Sequence, residues 1–123
     1  MRYLMLIYGD GDYYAKADQA EIDAMLPEYF TFTEQIRDSG EYEHGEALQG
    51  TDTATTVRVR GGETLVTDGP FAETREVLGG FYLVDCKDLD RAIELASRIP
   101  DVRNGSVEIC PIMEQPAPPG EAG

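Results

Sequence analysis

Two runs constrain this chain most. Tyr3–Tyr8 (YLMLIY) is apolar or aromatic at every position, and Phe81–Cys86 (FYLVDC) at every position but Asp85. Successive side chains of a strand point to opposite faces, so a run without alternation belongs to a sheet that is buried on both. Any fold built on these strands must therefore supply two covers, and the rest of the sequence is read for what could supply them.

Two helical patterns follow the runs. Asp18 with Glu21 reads as a capping box ahead of Ile22, Met25, Leu26, Tyr29, Phe30 and Ile36 at helical spacing. Pro27 interrupts this stripe, because it has no N–H for the carbonyl of Asp23; a kink or a helix restarting at Pro27 is expected. Gly40 is the C-terminal stop. In the second pattern Asp88 caps a stripe of Leu89, Ala92, Ile93, Ala96 and Ile99, and Pro100 ends it. Tyr42–Leu48 and Val107–Met113 read as further strands. Thr56, Val57, Val59, Leu65 and Val66 flank Arg60-Gly61-Gly62-Glu63, a Gly-Gly hairpin signal.

The order β-α-β-(hairpin)-β-α-β predicts an α+β, ferredoxin-like antiparallel sheet with two helices on one face. Two helices cover one face, and a second copy packed sheet to sheet about a two-fold axis is the simplest cover for the other, so a homodimer is expected. Residues 1–113 read as one domain, and 114–123, rich in Pro and Gly, as a flexible tail.

Composition narrows the partners. With 10 basic against 24 acidic residues and a net charge of -14, the chain is unsuited to nucleic acid and to anionic membrane surfaces, both of which reward clustered Lys and Arg. Tyr3–Tyr8 is too short to span a membrane and has no cleavage site after it, so it reads as a strand and not a signal peptide. Cys86 and Cys110 lie in apolar runs, and two buried reduced thiols, as suit a cytoplasmic protein, are expected in preference to a disulfide. No CxxC pair or His/Cys cluster suggests zinc, and the "GDGD" of residues 9–12 lacks the spacing and twelfth-position ligand of a calcium loop.

The strings DGPFAETREVLGGFYLVD, DLDRAIELASRIP and GSVEICP, together with MRYLMLIYGD and TATTVRV, closely resemble the DGPF-type branch of the YCII-related domain family, across nearly the whole chain. The resemblance implies ferredoxin-like protomers paired as a dimeric α/β barrel; no cofactor is expected. It also implies companionship with extracytoplasmic-function sigma factors for many members and, in the wider superfamily, enzymes acting on small aromatic compounds. In the YCII branch a His and an Asp are proposed to pair in a pocket. Asp68 matches that Asp; the His has no counterpart, since the first helix has none and His44 matches no motif position. Cys110 stands before Pro111 where the family usually has Arg.

Asp68 opens Asp68-Gly69-Pro70-Phe71. On turn chemistry its carboxylate accepts backbone N–H groups, Pro70 fixes φ, Phe71 plugs the core, and a short helical segment leads to the next strand. As chemistry, Asp68 is a general base or an anchor in a cleft, with Glu73 or Glu76 raising its pKa and Arg75 lowering it. His44, among Glu41, Glu43 and Glu46, is either a surface ion-pair partner or the catalytic acid. Arg58 and Arg60 read as outward-facing charge or as an anion-recognition pair, and Arg75 with Glu76 as a structural ion pair. One or two of the seven tyrosines line a pocket and the rest are core or interface. The candidate set is catalytic Asp68 and His44, ligand-binding Tyr8, Arg58, Pro70, Phe71 and Arg75, and no metal. Two functions follow: a small-molecule-binding homodimer linked to a sigma-factor system, or a cofactor-free enzyme doing acid/base chemistry on a small polar or aromatic substrate.

Overall fold

The computed structural model describes residues 1–115; residues 116–123 of the expected tail lie outside it. The strand β1 (Arg2–Asp10) leads through α1 (Gly11–Lys16) and α2 (Gln19–Asp38) to β2 (Tyr42–Ala47). The hairpin β3 (Thr55–Arg60) and β4 (Glu63–Asp68) follows, then β5 (Glu76–Asp85), α3 (Leu89–Ala96) and β6 (Ser106–Pro111). Four strands form one antiparallel sheet in the order β2-β5-β1-β6, while β3 and β4 form a sheet of their own. This is the ferredoxin-like α+β arrangement, with β5 inserted between the two strands of the first βαβ unit.

One face of that sheet makes the core. Tyr3, Met5 and Ile7 of β1, with Tyr82, Val84 and Cys86, pack against Phe32 and Ile36 of α2, Ala92, Leu95 and Ala96 of α3, and Ile99 beyond it. The alternate residues turn the other way. Leu4 sits opposite Leu83 and Cys110, and Leu6 opposite Phe81, all half-buried. The non-alternating runs thus place apolar side chains on both faces, and the helices among the described residues cover one of them.

Local chemistry accounts for the element ends. Asp18 accepts the Glu21 N–H at 2.8 Å, as the capping-box spacing predicts. Pro27 neither ends nor restarts α2, which runs unbroken for 20 residues; the helix is held by the burial of Met25, Phe32 and Ile36 on either side of it. Gly40 supplies the left-handed stop with φ 81°. The GDGD of residues 9–12 passes straight from strand to helix: Gly9 and Asp10 end β1, and Gly11 and Asp12 start α1, capped by the Asp10 carboxylate on the Asp12 N–H at 2.9 Å. Asp88 caps α3 as expected, but Leu89 and Ile93 face outward and Leu95 takes their place in the core. Glu114, first residue of the expected tail, forks onto Arg2 at 2.8 and 3.0 Å.

Candidate functional site

A cavity of about 680 Å³ lies between α2 and the β2-β5-β1 part of the sheet. Its apolar lining comes from Ile7, Met25, Leu26 and Phe30. Leu26 and Phe30 belong to the helical stripe yet are 51% and 69% exposed, because they face this space and not the core. A register shift between Ile7 and Tyr8 leaves Gly79 without a partner on β1, a bulge that puts bare backbone against the cavity. Gly80 and Gly45 also line it. A Cβ on Gly80 would fall 2.8 Å from the Glu46 carbonyl oxygen, and one on Gly45 2.7 Å from the Tyr82 ring.

The polar groups are grouped at distinct places. The hydroxyls of Tyr14 and Tyr29 each donate to one carboxylate oxygen of Asp101, a buried residue in the turn after α3. That turn fixes the carboxylate, since the Asp101 carbonyl accepts the N–H groups of Asn104 at 3.1 Å and Gly105 at 2.7 Å. Tyr14 is seated by α1, and its ring fills the place a Cβ on Gly9 would take. Burial, and then the hydrogen bond to Asp101, pushes both phenols well above the ordinary tyrosine pKa, so they remain protonated donors. Further along α2, Thr33 Oγ1 lies 2.7 Å from the Tyr82 hydroxyl. The Arg37 guanidinium stacks 4.8 Å from the Tyr42 ring centroid, with Glu34 and Glu46 also on the cavity wall.

The residues singled out in the sequence lie elsewhere: none of the seven lines this cavity. Asp68 ends β4, exposed, opposite Thr55, and among the described residues its carboxylate makes no hydrogen bond or ion pair. The turn it was expected to pin is held instead by the Gly69 N–H on the Ala54 carbonyl at 2.7 Å and by Thr56 Oγ1 on the Gly69 carbonyl at 2.9 Å. Gly69 is needed there for its φ of 104°. No helical segment follows Pro70, which is half-buried, and Phe71 is 79% exposed instead of plugging the core. Its ring is 5.4 Å from the Arg58 guanidinium, so the structure does bring those two together.

Arg75 reaches Asp10 at 3.7 Å and Asp12 at 3.5 Å, not Glu76, which accepts the Ser106 hydroxyl at 2.8 Å. His44 is exposed on β2, 3.9 Å from Glu46, while Glu41 pairs with Arg91 and Glu43 with Arg2. Among the described residues no hydrogen bond joins His44 to Asp68. Tyr8 stands on the sheet face without helices, opposite Leu78 and Ser106, its hydroxyl pushed up by burial and then by Glu108. Both cysteines are free, Cys86 buried with its thiol pushed up by desolvation.

Two signals in the sequence did mark the cavity. Glycines inside strands, at 45, 79 and 80, indicate places where something approaches the backbone closely. Four of the seven tyrosines (Tyr14, Tyr29, Tyr42 and Tyr82) line it, where one or two were expected. Asp101 gave no local sign, because what marks it is burial. Among the described residues no group of three His, Cys, Asp or Glu side chains could hold a metal, and no helix is long and apolar enough to cross a membrane.

A protein of Rhizobium meliloti (strain 1021), itself described only as uncharacterised, is 34% identical over 114 residues, which is 91% of this chain and 92% of the relative. The family model for the YCII-related domain matches residues 1–116, the whole sheet with both of its covering helices, and the chain therefore belongs to the YCII-related domain family.

Proposed function

We propose that this chain is a small-molecule-binding protein of the DGPF-type branch that works as a homodimer, its ligand held between α2 and the sheet. The observation that carries the reading is the cavity itself. Its volume of about 680 Å³ and its mostly apolar wall with a few convergent polar groups are what small-molecule sites have in common. The second copy is supported by the sheet face that the described residues leave without a cover, where Leu4, Leu6, Leu83 and Phe81 form a contiguous half-exposed apolar patch. Two such patches packed about a two-fold axis give each protomer the second cover that its non-alternating strands call for. Native mass measurement on gently purified protein tests both parts. A dimer carrying an added small mass is the expected result; a monomer overturns the sheet-to-sheet pairing, and Phe30→Glu leaving a bound mass unchanged overturns the cavity as its seat.

A second reading, general acid/base chemistry at Asp68, is favoured by one observation: the fold makes no use of that carboxylate, since Gly69 and Thr56 hold the turn. On this reading Asp68→Asn leaves the melting temperature unchanged and removes turnover of whatever ligand the mass measurement identifies. A lowered melting temperature assigns the carboxylate to the fold instead.

A further inference from the structure

A carboxylate buried in a protein is normally matched by a cation, because desolvating an unpaired charge costs several kcal/mol, on the order of the whole stability margin. Asp101 is 9% exposed, and although its charge is felt through space by the Arg103 guanidinium, no cation among the described residues is in contact with it. Among the described residues its carboxylate is in no ion pair, and its only side-chain partners are two neutral phenols. The nearest arginine in sequence, Arg103, is committed elsewhere: it forks onto Glu28 at 3.0 and 2.7 Å and gives its Nε to the Pro100 carbonyl at 3.1 Å.

The two phenol hydrogens occupy two of the roughly four acceptor positions of a carboxylate. Each phenol oxygen, having given away its proton, is left with lone pairs. This end of the cavity is therefore an array of acceptors carrying one negative charge, with two aromatic rings beside it. The rest of the lining has the same bias, with Glu34 and Glu46 against the single guanidinium of Arg37, and the chain as a whole carries a net charge of -14. An ammonium group answers each of these features. It brings three donors and no acceptor, supplies the missing counter-charge, and is attracted to the faces of Tyr14 and Tyr29. The apolar side chains of Met25, Leu26 and Phe30 then face whatever the ammonium is attached to.

We infer that the cavity takes a small hydrophobic amine, with its ammonium on Asp101 between Tyr14 and Tyr29 and its apolar or aromatic body along α2. This rests on the cavity being a ligand site at all, and the test separates the two ideas. Three probes of one shape are titrated into the full chain at neutral pH and followed by calorimetry: 2-phenylethylamine, 2-phenylethanol and 3-phenylpropionate. The amine is expected to bind about 10-fold or more tighter than the alcohol, a difference of one charged contact, with the acid weakest. Raised salt should narrow the gap between amine and alcohol.

If amine and alcohol bind alike, the ammonium site is overturned while the cavity stands. If the acid binds best, Arg37 rules the cavity, and the inference is again overturned. If none of the three binds, both readings fall together. This ranking needs no variant. Asp101→Asn then adds a second check, and Tyr29→Phe a third if the first folds poorly. Each should reduce amine binding and leave alcohol binding in place; a variant that folds and keeps the full amine preference overturns the placement at Asp101.

Discussion

The helix-packed face of the main sheet and the β3–β4 hairpin are written in similar residues and end in opposite surroundings. Along β1, Tyr3, Met5 and Ile7 are 2%, 0% and 4% exposed; along the hairpin, Val57, Val59 and Val66 are 59%, 59% and 63% exposed. Register puts Val57 opposite Val66, so the hairpin has a continuous apolar face of its own. Its existence comes from the turn. Gly61 and Gly62 take φ 57° and 81°, the positive values that a two-residue turn matched to strand twist requires. The main sheet exists because two helices bury one side of it. A strand pattern thus says that an apolar face will form, and only the other elements decide whether the same chain covers it. A bare two-stranded hairpin is marginal by itself, so the hairpin and the open face of the main sheet are the parts that the proposed second copy would stabilise most.

The largest effect that can break this contrast is a cavity in the core. Leu95→Ala empties a site with no exposed surface and is expected to lower stability by about 2–5 kcal/mol. Val66→Ala, the same kind of truncation on the hairpin, should cost less than about 1 kcal/mol in dilute protein. Urea unfolding of both variants measures the difference. Equal costs would mean that the hairpin belongs to the same cooperative core, and the contrast would be wrong.

The glycines sharpen it at the next level. A methyl on Gly80 would meet the backbone oxygen of Glu46 at 2.8 Å, where neither strand can yield without losing its pairing, so Gly80→Ala is expected to cost about 1–3 kcal/mol. A methyl on Gly62 meets nothing within 4 Å, and its cost is the left-handed backbone alone, about 1 kcal/mol. Melting temperatures of the two variants should rank in that order. The reverse order would mean that β2 and β5 adjust freely and that the cavity wall they form is soft.

The same division explains what was legible beforehand. The order of the six strands and two main helices, the Asp18 and Asp88 caps, the Gly40 stop and the Gly-Gly turn could all be read from the chain because each depends on residues a few positions apart. Pro27 misled because its cost is local while the burial that outweighs it, at Phe32 and Ile36, is tertiary. Phe71 misled because an aromatic ring after a turn looks like a core plug, and nothing nearby says that its neighbour will be Arg58. The cavity was legible only as scattered glycines and tyrosines. Its buried carboxylate, Asp101, lies 87 positions from Tyr14 and 72 from Tyr29, and no reading of neighbours brings those three together.

The smallest effect concerns charge, and it again separates the packed face from the hairpin. Glu41 closes the junction between α2 and β2 and receives the Arg91 guanidinium at 3.0 and 2.8 Å. The hydrogen bond from Arg91, and after it the one from Ser39, holds the Glu41 carboxyl below its ordinary value of 4.5. A carboxyl whose folded pKa is depressed contributes stability above its unfolded pKa, and that contribution disappears as pH falls through the folded value. The stability of the wild-type chain should therefore decline as pH drops below about 4.5, and Glu41→Gln should flatten that part of the decline while lowering stability at neutral pH. Thermal melts from neutral pH down to about 3 follow both changes. Glu28 and Glu114 are depressed in the same way, by Arg103 and Arg2, but both pairs remain in the variant and so drop out of the comparison. The hairpin offers the control. Among the described residues the Arg60 guanidinium has the Val59 carbonyl as its one hydrogen-bond partner, so the melts of Arg60→Gln should track the wild type at every pH. An Arg60→Gln curve that departs from the wild type on acidification would place the hairpin inside the charge network of the packed face, and the two regions would then have to be treated as one.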